Sequence, residues 1–229
     1  MRPTLIFDVT GTLLDPGGLD EYFVRGFGDA EARRAWERVL LELALTVTVT
    51  DRHRRFDELA FAALRSVEIE RGVELDDRTR GAILVGMRAL PPFPEVGEAL
   101  TRLRDADVAL HALSNETLAI AEEQLVRAGL FELFTSVQAA GESEMYKPKV
   151  QVYRTALTFI GARLEHAMLV SAHGWDVAGA LAFGMRAAFV ARPGCLLDPQ
   201  GPQPHLIAPD LTTVAERLLF FPVTTLGSA

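Results

Sequence analysis

A chain of 229 residues with 49% hydrophobic content has room for one α/β core and a smaller inserted domain, with enough apolar side chain to bury both. Its net charge of −8, with Arg52, Arg54 and Arg55 forming no more than a short basic cluster, argues against a nucleic-acid surface. The single Cys195 excludes an internal disulfide and a cysteine-built zinc site, and with no cationic leader and no apolar run of membrane-spanning length the expectation is a soluble, cytoplasmic protein.

The first predicted element is a short apolar strand over 4–7, which runs into Asp8-Val9-Thr10-Gly11-Thr12. An acid in that position sits at the carboxyl end of a strand, the edge of an open α/β sheet where ligands bind. Gly11 lets the backbone turn sharply, and the Thr12 hydroxyl can hold the carboxylate. Taken alone, the same five residues also describe an ordinary strand-to-loop turn.

The α/β pattern breaks at Asp15-Pro16-Gly17-Gly18, and from about 20 to 90 the chain reads as helices, with 30–45, 51–71 and 76–90 as the main candidates. Thr46-Val-Thr-Val-Thr50 alternates like a strand, although its place between helical stretches suits a helix end or a loop equally. Leu90-Pro91-Pro92-Phe93-Pro94 closes the excursion, because consecutive prolines cannot continue a helix. Alternation then resumes: a helix over 95–105, a strand over 108–114 ending in Ser114-Asn115, a helix over 116–128, Tyr146-Lys147-Pro148 ahead of another helix, and a strand over 167–171 leading through Ser171-Ala172-His173-Gly174-Trp175 to Asp176. The pattern persists to Val190. The predicted architecture is a Rossmann-like core with a parallel sheet, residues 1–15 and 92–229, interrupted by a helical cap, residues 16–91.

Asp8, Ser114, Lys147 and Asp176, in this order and each after a strand or ahead of a helix, resemble the four motifs of the haloacid dehalogenase (HAD) superfamily over nearly the whole chain. The resemblance is strongest to the L-2-haloacid dehalogenases. It rests on Leu113-Ser114-Asn115, on Tyr146-Lys147-Pro148 followed by Tyr153, on Trp175-Asp176 running to Gly179-Ala180, and on a stretch of the expected cap from Trp36 to Glu42 with Phe56 downstream.

That resemblance implies an aspartate nucleophile, Asp8, which forms an ester that water then cleaves. Thr12 and Lys147 would hold Asp8 ionised and oriented, and Asp176 would orient or activate the water. Thr10, Trp36, Ser114, Asn115, Tyr153, Ser171 and His173 would line the site of a small anionic substrate, with Ser114 and Asn115 offering hydroxyl, amide and backbone N–H groups at a helix start. Each has a plainer reading: a surface lysine before a proline, an aspartate favoured by a helix dipole, a Ser-Asn cap, and apolar Trp36, Leu41, Leu45 and Phe56 as simple core.

Two positions separate halide from phosphate chemistry. Superfamily phosphatases carry a second aspartate two residues after the nucleophile, where this chain has Thr10, and an acidic magnesium ligand where it has Ala172. A halide leaves as an anion and needs no proton. The expected activity is therefore hydrolytic release of halide from small 2-haloalkanoic acids to give 2-hydroxy acids, without cofactor or metal. A phosphatase of a small phosphorylated metabolite and a non-catalytic HAD-fold binding protein remain as alternatives.

Three positions depart from the dehalogenase pattern: Thr10 stands for Tyr, His173 for Asn, and Glu37 for the arginine that follows the cap Trp. An acid facing an anionic substrate in a dry pocket is repulsive, so either a neighbour such as Arg34 or Arg38 supplies a cation or the substrate differs. His173 could replace the hydrogen bonds of Asn, orient water, or be structural. The resemblance leaves room for a homodimer.

Overall fold

In the computed structural model, which describes residues 3–220 apart from the side chains of Glu142 and Ser143, the sheet has six strands in the order β3-β2-β1-β4-β5-β6, every neighbouring pair parallel. The outermost ends of the expected core, 1–2 and 221–229, lie outside the described residues. β1 (Thr4–Phe7) is central and wholly buried, which is why it reads as an unbroken apolar run: helices cover both faces of a parallel sheet.

From the loop after β1 the chain enters a helical insertion. A short 3₁₀ turn, Pro16–Leu19, starts where Asp15 accepts the N–H of Gly17, and α1 (Asp20–Phe27), α2 (Glu31–Val49), α3 (Phe56–Arg71) and α4 (Asp77–Gly86) follow. Helix α2 packs along α3, and the indole of Trp36 is buried between α2 and its neighbours. The alternating segment 46–50 is the last turn of α2, not a strand. Its threonines satisfy the backbone within the helix, Thr46 Oγ1 donating to Glu42 O (2.8 Å) and Thr50 Oγ1 to Thr46 O (2.7 Å), and Val47 and Thr48 are buried, so packing overrides β propensity. Helix α3 begins five residues later than the sequence pattern suggests, after an extended Arg55, and α4 stops at Gly86 in a 3₁₀ turn, Met87–Ala89.

The insertion leaves and re-enters the sheet layer at one place. Asp15 N donates to Pro91 O (2.7 Å), Phe93 N to Leu13 O (3.0 Å), and Leu14 bridges Pro92. Then come α5 (Val96–Asp105), β2 (Ala109–Ser114), α6 (Leu118–Arg127), β3 (Ser136–Ala139), α7 (Val150–Ile160), β4 (Ala167–Ser171), α8 (Gly174–Phe183) and β5 (Arg186–Val190). Beyond the last predicted element lie a three-residue edge strand, β6 (Leu206–Ala208), and α9 (Leu211–Phe220), which packs on α5. The strand order reverses direction between β1 and β4. In an open parallel sheet the crevice outside the carboxyl ends at that switch point is the place for a ligand.

Candidate active site

Asp8 directly follows β1 at this switch point, its N–H bonded to Val170 O of β4 (3.1 Å), and it is 5% exposed. The turn after it depends on Gly11, at φ +83°, where a Cβ would lie 2.8 Å from the His173 ring nitrogen Nε2. A side chain there would be strained and would push the imidazole away. Thr12 Oγ1 donates to Asp8 Oδ2 (2.6 Å) and accepts from Ala172 N (2.8 Å), so one hydroxyl ties the end of β1 to the end of β4.

The other carboxylate oxygen is held by Lys147. Its ammonium donates to Asp8 Oδ1 (2.7 Å) and to Asp176 Oδ2 (2.9 Å), fully buried between two carboxylates. Asn115 Oδ1 accepts the backbone N–H of Lys147 (2.9 Å), which fixes the loop that delivers it. Asp176, in the first turn of α8, is also fully buried, and Tyr153 of α7 donates its phenol to Asp176 Oδ1 (2.5 Å). All four carboxylate oxygens of the two aspartates thus have named partners: Lys147 and Thr12 on Asp8, Lys147 and Tyr153 on Asp176.

Burial pushes the Asp8 carboxyl up, but the charges of Lys147 and then His173, with the hydrogen bonds from Lys147 and Thr12, outweigh it and hold the group below the ordinary carboxylate range. Burial pulls Lys147 down, and Asp176 and Asp8 more than restore it, so its ammonium is held above the usual value. The Tyr153 phenol is raised well above its ordinary value by burial and then by Asp176, so it stays a donor.

His173 completes the rim. Its Nε2 lies 3.0 Å from Thr10 O and 3.6 Å from Asp8 Oδ2, and the ring stacks on Trp175 with centroids 5.0 Å apart. Ser171 Oγ accepts the His173 N–H and Ser114 Oγ accepts the Glu116 N–H (both 3.1 Å), so both serines hold loop backbone at strand ends. Trp36 lies apart from this group: 2% exposed, its indole N–H donates to Ala60 O (2.9 Å) and its ring is 5.5 Å from that of Phe23, inside the helical insertion.

The cation near Glu37 is neither Arg34 nor Arg38. Arg34 is 62% exposed and pairs with Glu31, whereas Arg33, one full turn back at i−4, donates to Glu37 Oε1 (2.8 Å) and to Asp20 Oδ1 (2.5 Å). One guanidinium therefore serves two carboxylates. Burial raises the Glu37 carboxyl despite Arg33 and the weaker pull of His173.

Two further residues carry weight that sequence reasoning did not assign. Glu116, 3% exposed at the β2–α6 loop, has its carboxyl raised to about 8 by burial and then by Asp57, against a weaker pull from Arg88. Arg192 donates to Thr12 O (2.9 Å) and pairs with Glu95 (2.6 Å). Neither has a local sequence signature, since their partners lie dozens of residues away.

The residues present do not fit a resident magnesium ion. Ala172 offers no oxygen from its side chain, and the carboxylate oxygens of Asp8 and Asp176 already face protein donors, the Lys147 ammonium among them. Among the described residues no cluster of three or more His, Cys, Asp or Glu could hold a metal, and no helix is long and apolar enough to cross a membrane.

A parallel sheet with a strand-end aspartate, a lysine shared with a second aspartate and a helical insertion after the first strand defines an α/β protein with carboxylate-centred chemistry at the sheet switch point. The family model for haloacid dehalogenase-like hydrolases matches residues 3–184, and the chain belongs to that family. It is 30% identical over 216 residues, 93% of this chain and 92% of the relative, to an (S)-2-haloacid dehalogenase of Pseudomonas sp. (strain YL). It is 25% identical to haloacetate dehalogenase H-2 of Moraxella sp. (strain B), over 93% of this chain and 96% of that one. The fold is that of the L-2-haloacid dehalogenase of Xanthobacter autotrophicus, solved with chloropropionic acid covalently bound: TM-score 0.89 at 21% identity, covering 97% of this chain and all of that one.

Proposed function

We propose that this hydrolase releases halide from small 2-haloalkanoic acids, with Asp8 as nucleophile. An Asp8 oxygen attacks the carbon that bears the halogen; the C–O bond forms as the carbon–halogen bond breaks, and the halide leaves with the electron pair. Water then adds to the side-chain carbonyl carbon of Asp8, its oxygen stays on Asp8, and the alkoxide departs as the 2-hydroxy acid after taking a proton, with one proton released to solvent when the carboxylate re-forms. Lys147 and Thr12 keep Asp8 ionised and fixed in rotation. Asp176, held by Tyr153 and Lys147, orients the water. Ser114, Asn115, Ser171 and Thr10 shape the loops around an anionic substrate, and His173 adds a hydrogen-bonding edge.

The observation that carries this reading is the Asp8–Lys147–Asp176 group, fully engaged by protein donors, together with Thr10 in place of a proton donor. That site suits a leaving group that departs as an anion. We further take residues 16–91 to be a cap: Tyr146, next to Lys147, donates its phenol to Arg54 O (2.7 Å) and its N–H to Thr48 Oγ1 (3.1 Å), and Phe56 and His53 pack on its ring. A single free Cys195 suits a cytoplasmic location, and a homodimer is our working expectation for the assembly.

The test sets halide release from chloroacetate and 2-chloropropionate beside phosphate release from small phosphate esters, with and without magnesium and with chelator. Halide release indifferent to chelator is the expected result. Magnesium-dependent phosphate release without halide would make the protein a phosphatase, and release of neither would make it a binding protein.

A further inference from the structure

Arg192 follows β5 and is 7% exposed, yet nothing in the chemistry proposed above calls for a guanidinium there. Its surroundings are specific. Nη2 donates to the carbonyl oxygen of Thr12 at 2.9 Å, Nη1 pairs with Glu95 Oε1 at 2.6 Å, and the planar head lies 3.7 Å from the centroid of the Phe93 ring. Its Nε is buried with no hydrogen-bond partner. Burying a charge in this way is expensive, and leaving one of its donors unmet adds to the penalty; an apolar side chain of similar volume would fill the same space more cheaply.

What the charge achieves lies at its far end. Thr12 is the residue whose hydroxyl grips Asp8 Oδ2 and accepts from Ala172 N. Its carbonyl accepts from Arg192, so Thr12 is held through its side chain and its backbone at once. The next carbonyl, Leu13 O, accepts from Phe93 N (3.0 Å), on the same short segment that supplies Glu95 and the ring beneath the guanidinium. A chain of contacts therefore runs from Glu95 through Arg192 and Thr12 to the Asp8 oxygen that Lys147 does not hold.

We infer that Arg192 is a positioning residue for Asp8, acting through the Thr12 peptide to fix the rotation of the attacking carboxylate. The role rests on Asp8 being the nucleophile. Arg192 itself is buried, its guanidinium engaged by Thr12 O, Glu95 and the Phe93 ring. Attack geometry tolerates displacements of only a fraction of an ångström, and a misplacement of about 1 Å can lower a rate by about 100-fold. Loss of this anchor should thus appear in kcat and leave KM alone.

The experiment compares the parent with Arg192→Met and Arg192→Lys, reading kcat and KM for chloroacetate, Tm, and the titration of the Asp8 carboxyl by carbon NMR, assigned by its loss in Asp8→Asn. Methionine should lower kcat about tenfold or more with KM within about twofold, and should raise the Asp8 titration as the Thr12 grip loosens. Lysine, which keeps one charged donor for Thr12 O, should recover most of both. If Arg192→Met fails to fold, Arg192→Lys decides alone, since it should sit within about threefold of the parent kcat. Parent-like kcat and Asp8 titration in Arg192→Met, or a lysine variant with parent-like Tm but the methionine level of kcat, overturns the inference. The NMR readout needs no substrate, so a parent that releases no halide would refute the dehalogenase reading while the Asp8 titration still decides whether Arg192 governs that carboxylate.

Discussion

Glu116 offers a quantitative test of the seam between the sheet and the helical insertion. It lies on the β2–α6 loop, its neighbouring charges Asp57 and Arg88 come from the insertion, and burial is the largest cause of its rise to about 8 from an ordinary 4.5. Because the folded state grips this proton more tightly than the unfolded chain, its contribution to stability is fully present below about 4.5 and is lost as pH rises toward 8; above 8 the contribution is flat. Each unit is worth about 1.36 kcal/mol, so the whole window amounts to roughly 4–5 kcal/mol at most. Glu116→Gln keeps the shape and removes the proton. Urea unfolding of the two proteins from pH 5 to pH 9 should show the variant gaining on the parent by several kcal/mol, or roughly 10 °C in Tm for a domain of this size, with the gain level above pH 8.5. Parallel curves across the range would mean that the Glu116 carboxyl is solvated or paired, and the reasoning would fail.

In heavy-oxygen water, a single turnover should place the label in the Asp8 side chain and not in the 2-hydroxy acid, read by mass spectrometry, and Asp8→Asn should abolish halide release while circular dichroism stays unchanged. Lys147→Met leaves Asp8 and Asp176 facing each other without their shared cation; denaturant unfolding should show a loss of about 3–5 kcal/mol, and halide release should disappear. Glu37→Arg replaces a half-buried acid near His173 with a cation while Arg33 keeps Asp20, so KM for chloroacetate should fall about tenfold with kcat within about threefold. A rise in KM would show that Glu37 does not face the substrate.

Much of this arrangement was legible because the informative groups sit next to strand ends, where apolar run, turn glycine and polar residue are adjacent in sequence. Asp8 with Gly11 and Thr12, Ser114 with Asn115, and His173 with Asp176 all have that form. Lys147 required more: a lysine before a proline says nothing until the sheet order places its loop over Asp8. Residues 46–50 left strand and helix end equally open, and the structure takes the helix end, since a threonine hydroxyl can close on the carbonyl one turn back and remain helical where packing asks for it. The pairing of Glu37 with Arg33, and of Arg192 with Thr12 across 180 positions, had no local trace. Such contacts belong to topology. The last strand escaped notice because three residues carry too little periodicity to register.

The helical insertion departs from the sheet layer and returns to it at a single hydrogen-bonded point, Asp15 against Pro91 and Leu14 against Pro92. To the sheet it is one closed loop, and the entropy of closing a loop grows only slowly with its length. Asp8, Thr12, Lys147 and Asp176 all come from outside it. A helical segment from another enzyme could be grafted between the same two residues, provided that it re-makes the stitches Tyr146 to Arg54 and Gln124 to Met87. The residues gathered around Asp8 and the helices of the insertion thus lie on separate lengths of chain, so that selection, or a designer, can alter one without rebuilding the other.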